Sequence, residues 1–358
     1  MTATDFQLTI IIPALNEVAT LPNLIESLAS QQGADALEVI IADGGSQDGT
    51  LAACQTVAMT CGITLRSITT QPGRARQMNA ASRRAQSAEL LFLHADTVID
   101  DPCLISNALT QMQSARTRSG SDCIAGHFGL HFIRTRHVAE SGYYFYESKT
   151  RLNRLDCING DQGFLLSQHY FRKLGMFDES LDYMEDARLA TQVFKSGQWI
   201  TLPGHVGTSA RRFESEGLRN RQTLNALLCN FEYIGLRGFF GATEHAYQTQ
   251  NNASRLNLEP FLKTAHRLSW KKGIKQGLRY WLATGDYVAQ NAWQLAFALD
   301  CRRNRSLGLA PGEGERHALN RYERWLKPIV ISKPGQAITA TLTCIWFYAL
   351  LLLYRFKP

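Results

Sequence analysis

Leu90-Leu-Phe-Leu-His-Ala-Asp-Thr97 runs four apolar residues of strand-like composition into a short polar tip, and the tip carries a carboxylate, Asp96. In an open α/β sheet ligands bind at the carboxyl ends of the strands, so a carboxylate there can hold a metal. A buried strand whose terminal aspartate merely caps the next segment would read the same way. The neighbouring segments decide between the two.

Toward the N-terminus, Leu8-Thr-Ile-Ile-Ile-Pro13 reads as a buried, β-branched strand, followed by Asn16-Glu17 and a helix-period run of Leu21, Leu24, Ile25 and Leu28. Glu38-Val-Ile-Ile-Ala-Asp43 is a second buried strand that also ends in a carboxylate. The polar turn Gly44-Gly-Ser-Gln-Asp-Gly-Thr50 leads into a helix over Leu51–Met59, then a weaker strand over Ile63–Ile68. Pro72-Gly73 turns the chain and a helix is expected over Arg74–Gln86, before the strand at Leu90. This alternation predicts an α/β fold, a mostly parallel sheet with helices on both faces and right-handed crossovers. No GxGxxG is present, which argues against a dinucleotide-binding domain.

Beyond Asp96 the pattern is mixed. Ile124–Ile133 alternates like an antiparallel or edge strand, and Tyr143–Tyr146 is an aromatic cluster of core type. The polar loop Asp156–Gly163 enters a short strand, Phe164–Ser167, and a helix follows from His169 to Leu174. Glu185-Asp186 then opens a helix through Ser196; two carboxylates there suit the positive end of the helix dipole whatever else they do. His127 and His205 read as structural.

The composition bounds the rest. With 45% hydrophobic residues and a mean hydropathy of −0.19, the 358-residue chain is globular and not a polytopic membrane protein. Eight scattered cysteines without a CxxC pair indicate neither a zinc site nor a disulfide framework, as expected in a reducing cytosol. The N-terminus lacks a basic stretch followed by an apolar run, so no secretory signal is expected. The net charge of +7 is uneven: residues 1–100 carry 5 basic and 10 acidic groups, residues 255–358 carry 17 and 6. A basic C-terminal part faces something anionic, lipid headgroups or nucleic acid.

In order and spacing these motifs resemble the family 2 glycosyltransferases with the GT-A fold. Ile10-Ile-Ile-Pro-Ala-Leu-Asn-Glu17 is similar to that family's opening strand, Ala42–Thr50 to its nucleotide-binding turn, Phe92-Leu-His-Ala-Asp96 to a degenerate DxD motif and Met184-Glu-Asp186 to its ED motif. Gly73-Arg-Ala-Arg-Gln-Met-Asn79, Leu93–Thr97, Gly160-Asp-Gln-Gly163 and Ser209-Ala-Arg-Arg-Phe213 resemble a bacterial subgroup. The resemblance covers about residues 7–245 and implies transfer of a sugar, with inversion, from a nucleotide-diphosphate donor (UDP- or GDP-sugar).

It implies donor-side roles for Pro13, Asn16, Glu17, Asp43, Gly45, Arg74, Gln77, Asn79, Asp161, Gln162, Arg211 and Arg212. Asp43 would accept hydrogen bonds from base or ribose, and the arginines would meet phosphate oxygens in bidentate fashion. Asp96 would anchor Mg²⁺ or Mn²⁺ against the diphosphate; His94 stands where the DxD has its first aspartate. The general base would be one of the ED pair, Asp186 with Glu185 beside it. Nucleotidyl transfer is the rival enzyme class, but Pro13–Glu17 replaces the Gly-rich loop it requires; a domain that binds nucleotide-sugar without turnover is the other rival.

We expect the GT-A domain over residues 1–235, a basic helical segment over 236–335 and a hydrophobic tail over 336–358. Ala337–Tyr354 is 18 residues without a charge, closed by Arg355 and Lys357. As a helix it would reach about 27 Å, close to the ~30 Å hydrocarbon core of a bilayer. Trp270, Ile274, Leu278, Tyr280, Trp281 and Leu282 recur near helical spacing among Lys271, Lys272, Lys275 and Arg279, the pattern of a helix in an anionic interface. A membrane surface, not nucleic acid, is therefore the expected partner. Nucleotide-sugars are cytosolic, which places the chain at the cytoplasmic face of the inner membrane.

Overall fold

The computed structural model describes residues 6–136, 138–181, 183–236, 238–248, 250 and 255–355. Lys357, part of the expected tail, lies outside the described residues, as do Met1–Asp5. The chain forms two compact units, residues 1–133 with 146–209, and residues 134–145 with 210–358.

The first unit is built on a seven-stranded sheet in the order β3-β2-β1-β4-β6-β5-β7. The strands are β1 (Leu8–Ala14), β2 (Leu37–Asp43), β3 (Thr64–Thr69), β4 (Glu89–Phe92), β5 (Ile124–Ile133), β6 (Phe164–Ser167) and β7 (Gln198–Ser209). β1, β2, β3 and β4 pair in parallel, and β5 pairs in parallel with β7; β6 alone runs antiparallel to its neighbours. The mostly parallel α/β sheet read from the sequence is thus present. β1 and β2 are buried along their whole length, which explains their continuous β-branched composition.

The helices here are α1 (Leu21–Ala29), α2 (Thr50–Cys61), α3 (Arg74–Ser82) and α4 (Leu104–Ser119); α5 (Glu140–Lys149) runs across the boundary between the units; α6 (Gln168–Lys173) and α7 (Glu185–Ser196) complete the set. α1 buries Leu21, Leu24, Ile25 and Leu28, the stripe its spacing predicts. α3 stops at Ser82, four residues before the expected end. Ile124–Ile133 is not an edge strand: β5 lies inside the sheet between β6 and β7, and its first seven residues are buried.

The second unit is helical: α8 (Arg211–Glu216), α9 (Leu218–Tyr233), α10 (Gly238–Gln248), α11 (Glu259–Trp270), α12 (Ile274–Asn291), α13 (Trp293–Ser306), α14 (His317–Arg321), α15 (Lys327–Val330) and α16 (Lys333–Arg355). Its core joins Leu224, Leu227 and Phe231 of α9 to Phe239, Phe261, Leu262 and Phe347. The later boundary between the compact units falls at Ser209, because the apolar face of α9 packs with helices that follow it. α12 and α16 meet backbone to backbone at Gly285: a Cβ there would fall 2.4 Å from Gln336 O and 2.5 Å from Ala340 Cβ.

Candidate active site

Parallel pairing brings the carboxyl ends of β1, β2 and β4 to one edge. There the loops after β1 and β2 are tied together. Asn16 donates its backbone N–H to Ser46 Oγ (2.8 Å) and accepts the N–H of Gln47 on Oδ1 (2.9 Å), while Glu17 N–H donates to Thr50 Oγ1 (2.9 Å). Asp43, buried at the end of β2, accepts the N–H groups of Gly45 (2.9 Å) and Ser46 (3.0 Å) and the Ser46 hydroxyl. Its carboxylate therefore shapes the turn that follows it. Gly45, at φ +98 and with open space around it, gives that turn its left-handed residue.

The reversed strand β6 changes what reaches this edge. Phe92 pairs with Phe164, so the residues before β6, not those after it, lie beside the residues after β4. The turn Gly160–Gln162 accordingly meets His94: His94 Nδ1 is 2.7 Å from Asp161 Oδ1. Gly160 N–H donates to Asp186 Oδ2 (2.7 Å), and Asp186 Oδ1 accepts the N–H of Ala187 (2.7 Å). A Cβ on Gly160 would stand 2.9 Å from His94 Nε2 and 3.2 Å from Asp186 Oδ2, so only glycine lets the imidazole and the carboxylate close on this backbone. The glycine's role was not readable from the sequence. Burial disfavours the imidazolium of His94, but the Asp161 hydrogen bond and charge prevail, and its pKa is raised.

Glu185 and Asp186 begin α7 behind Met184, which adopts left-handed backbone at φ +66. Strain of this kind collects at functional sites. Glu185 is 1% exposed, and neither of its oxygens has a hydrogen-bond partner among the described residues. Its ion-pair partner is Arg74, whose Nε lies 3.1 Å from Oε1 without hydrogen-bond alignment and whose side chain is 45% exposed. Burial raises the Glu185 pKa, Arg74 opposes the shift and the Asp186 charge adds to it. With the folded value above the unfolded 4.5, the folded state binds the extra proton and stability falls as pH rises through that window. Glu185→Gln should therefore match the wild type in melting temperature near pH 4 and exceed it increasingly as pH rises toward 8. A gap that does not grow with pH would remove the buried charge as its cause.

Asp96 is partly buried in the turn after β4, and its carboxylate has no hydrogen bond or ion pair among the described residues. Other residues singled out in the sequence have tasks inside the protein. Pro13 is buried within β1. Glu17 Oε2 accepts the Thr20 hydroxyl (3.0 Å). Gln77, 3% exposed, donates to Ala14 O (2.9 Å) and Ala42 O (2.7 Å), stapling the ends of β1 and β2. Asn79 holds Phe177 through both backbone groups (2.9 and 3.1 Å) and Glu179 (2.9 Å). Gln162 is fully buried and donates to His127 Nδ1 (2.9 Å), Phe128 O (3.0 Å) and Thr150 O (2.8 Å). The polar atoms of Gln77, Asn79 and Gln162 are thus used within the protein. Arg211 and Arg212 are exposed at the start of α8 in the second unit.

His127 is structural, as expected: Nε2 donates to Asn153 Oδ1 (2.8 Å), Nδ1 accepts from Gln162, and burial lowers its pKa. Among the described residues no three His, Cys, Asp or Glu side chains are grouped to hold a metal ion.

Residues 9–175 match the sequence profile of glycosyl transferase family 2. Residues 9–175 thus carry a glycosyl transferase family 2 domain, set on the mostly parallel α/β sheet of the first unit. No curated protein matches the chain. Among solved structures it is similar to the mannosyltransferase PcManGT from Pyrobaculum calidifontis in complex with GDP-Man and Mn²⁺, at 18% identity over 96% of this chain and 88% of that one, TM-score 0.47. It is also similar to S. aureus TarS 1–349 in complex with UDP-GlcNAc, at 14% identity over 85% of this chain and 93% of that one, TM-score 0.47.

Proposed function

We propose that the chain transfers a sugar from a UDP- or GDP-sugar to an acceptor hydroxyl, with inversion, at the cytosolic face of a membrane. One arrangement carries the chemical part: Asp186, His94 and Asp161 converge on Gly160 at the edge where the turn after β4 presents Asp96. Direct displacement at the anomeric carbon requires the acceptor hydroxyl to lose its proton as it attacks. Asp186 is held for that task by one backbone N–H on each oxygen, which leaves further lone pairs to receive the proton. Glu185 pairs with Arg74, and the half-exposed guanidinium would meet phosphate oxygens. The turn organised by Asp43 would receive the nucleoside.

The donor set fits a cation that arrives with the diphosphate better than a resident ion. Mg²⁺ and Mn²⁺ sites of this kind use one or two carboxylates plus substrate phosphates, and Asp96 offers one carboxylate with no other partner among the described residues. When bound, such a cation would offset the charge that builds on the departing diphosphate. Asp96→Ala should weaken Mn²⁺-dependent binding of the donor by roughly 1–3 kcal/mol, about 5- to 150-fold, in calorimetry with a panel of UDP- and GDP-sugars. Equal binding by variant and wild type, in Mn²⁺ and in EDTA alike, would remove Asp96 from the donor site.

The membrane part rests on α16. Its apolar window has a mean hydropathy of 1.8 and is only 11% buried. Ala340 and Phe347 face the core, while Ile338, Leu342, Ile345 and Leu353 are each at least 60% exposed. A helix apolar on every side belongs in a core or in lipid. Ile274, Leu278 and Leu282 of α12 and Leu295 and Leu299 of α13 add exposed apolar stripes, with Lys271, Lys272, Lys275 and Arg279 nearby in the chain for anionic headgroups. Because Phe347 is a core residue, the informative variant keeps α16: Leu342→Asp with Ile345→Asp should abolish flotation with anionic vesicles. Undiminished flotation would exclude this face as the contact.

A further inference from the structure

α12 and α16 run antiparallel. Gly285 of α12 meets Gln336 and Ala340, and one turn earlier on α12 the Trp281 ring packs on Phe347, two turns later on α16, with centroids 5.4 Å apart. Polar contacts fasten α16 from its first turn to its last. Gln336 Nε2 donates to Asp286 Oδ1 (2.7 Å) and Thr339 Oγ1 to Gly285 O (2.7 Å). Farther along, Trp270 Nε1 donates to the Tyr348 hydroxyl (2.8 Å), and the Tyr354 hydroxyl donates to Asn220 Oδ1 (2.9 Å). Gln336 and Tyr354 are about 27 Å apart along the helix axis, so the whole apolar stretch is tied to α9, α11 and α12.

This attachment decides how the helix can lie in lipid. Tyr348 stands near the middle of the uncharged stretch Ala337–Tyr354, and its partner Trp270 directly precedes Lys271-Lys272. Lys275 and Arg279 follow on the first turns of α12, and all four cations are exposed. A transbilayer α16 would carry them into the hydrocarbon, where charge is costly. Laid flat, the same arrangement is favourable. Ile338, Leu342, Ile345 and Leu353 give α16 an exposed apolar face. Leu278 and Ile274 lie two and three turns before Gly285, on the side of α12 that faces α16, and are still more than half exposed. The apolar surface of α16 thus continues onto α12, and Lys275 and Arg279, one position on from Ile274 and Leu278, border it with charge.

We infer that α16 does not cross the bilayer: with the first half of α12 it forms a surface that lies in the plane of one anionic leaflet. Anionic headgroups complement the bordering cations, which a second copy of the same face would not. The inference rests on the membrane reading above and fixes how α16 meets the lipid; it does not involve the transfer chemistry.

The test adds the full chain to vesicles of phosphatidylcholine and phosphatidylglycerol. A fluorescent amino acid replaces Leu278, Ile338, Ile345 or Leu353 in turn, all exposed positions, and is quenched by lipids carrying a nitroxide near the headgroup or near the chain end. All four positions should be quenched more by the shallow nitroxide. Lys275→Gln with Arg279→Gln should lower affinity for these vesicles about 30-fold and leave binding to pure phosphatidylcholine unchanged. Deep quenching at Ile345 with shallow quenching at Ile338 and Leu353 would mean a spanning helix; it overturns the inference and leaves the membrane reading standing. Vesicle binding without quenching at any of the four positions also overturns this surface. An equal loss on both vesicle types in the double variant overturns its charged border. Absence of vesicle binding overturns both readings, and a dimer in sedimentation would then assign the face to a second copy.

Discussion

Asp186→Asn is expected to lower turnover by about 10²–10⁴-fold, the range for removing a general base, while donor affinity changes little. Each carboxylate oxygen of Asp186 accepts a backbone N–H, from Gly160 and from Ala187, both at 2.7 Å. Asparagine has one acceptor oxygen, so its amide group must face one of these donors. The substitution should therefore also cost about 1–3 kcal/mol of stability, visible as a lower melting temperature. Single-turnover kinetics beside donor calorimetry separate the two effects. A variant that keeps most of its rate would move the base elsewhere, with Glu185 the first candidate. If the wild type shows neither transfer nor hydrolysis against the full donor panel, proton abstraction by Asp186 loses its basis.

Gln162→Leu is expected to cost about 3–5 kcal/mol, at the upper end for one substitution. Two amide protons of Gln162 serve three acceptors, His127 Nδ1, Phe128 O and Thr150 O, and its oxygen accepts the N–H of Asn159 at 3.0 Å. All four partners would lose this bond, three of them at the buried residues His127, Phe128 and Thr150. Each unpaired buried group costs roughly 1–3 kcal/mol, with partial relief where neighbours relax. Because Asn159–Gln162 is the turn that carries Gly160 and Asp161, activity should fall faster than stability as denaturant is added. A loss under 1 kcal/mol in equilibrium denaturation would mean the turn is held by something else.

The strands and their order of use were legible because their signal is local. Continuous β-branched runs at Leu8–Pro13 and Glu38–Asp43, each closed by a turn, mark buried parallel strands whatever surrounds them. The ED pair at a helix start and the arginine at Arg74 were equally readable as chemical types. α4 was not: Leu104, Ile105, Ala108, Met112 and Ala115 form its buried face, but small and polar residues between them blur the period. Sequence similarity also named Gln77, Asn79 and Gln162 without saying whether their side chains face a ligand or the protein.

By itself, then, the sequence determined the α/β class, the carboxylates at the strand ends and the charge and hydropathy of the C-terminal part, since each depends on neighbours within a few residues. Only the tertiary structure decided that β6 runs backwards, and with it that the Gly160 turn meets His94 and Asp186. It alone showed Glu185 buried without a hydrogen bond and α16 packed along one stripe while its other apolar face stays exposed. Strand direction and side-chain burial come from contacts between residues tens of positions apart. No local period encodes them.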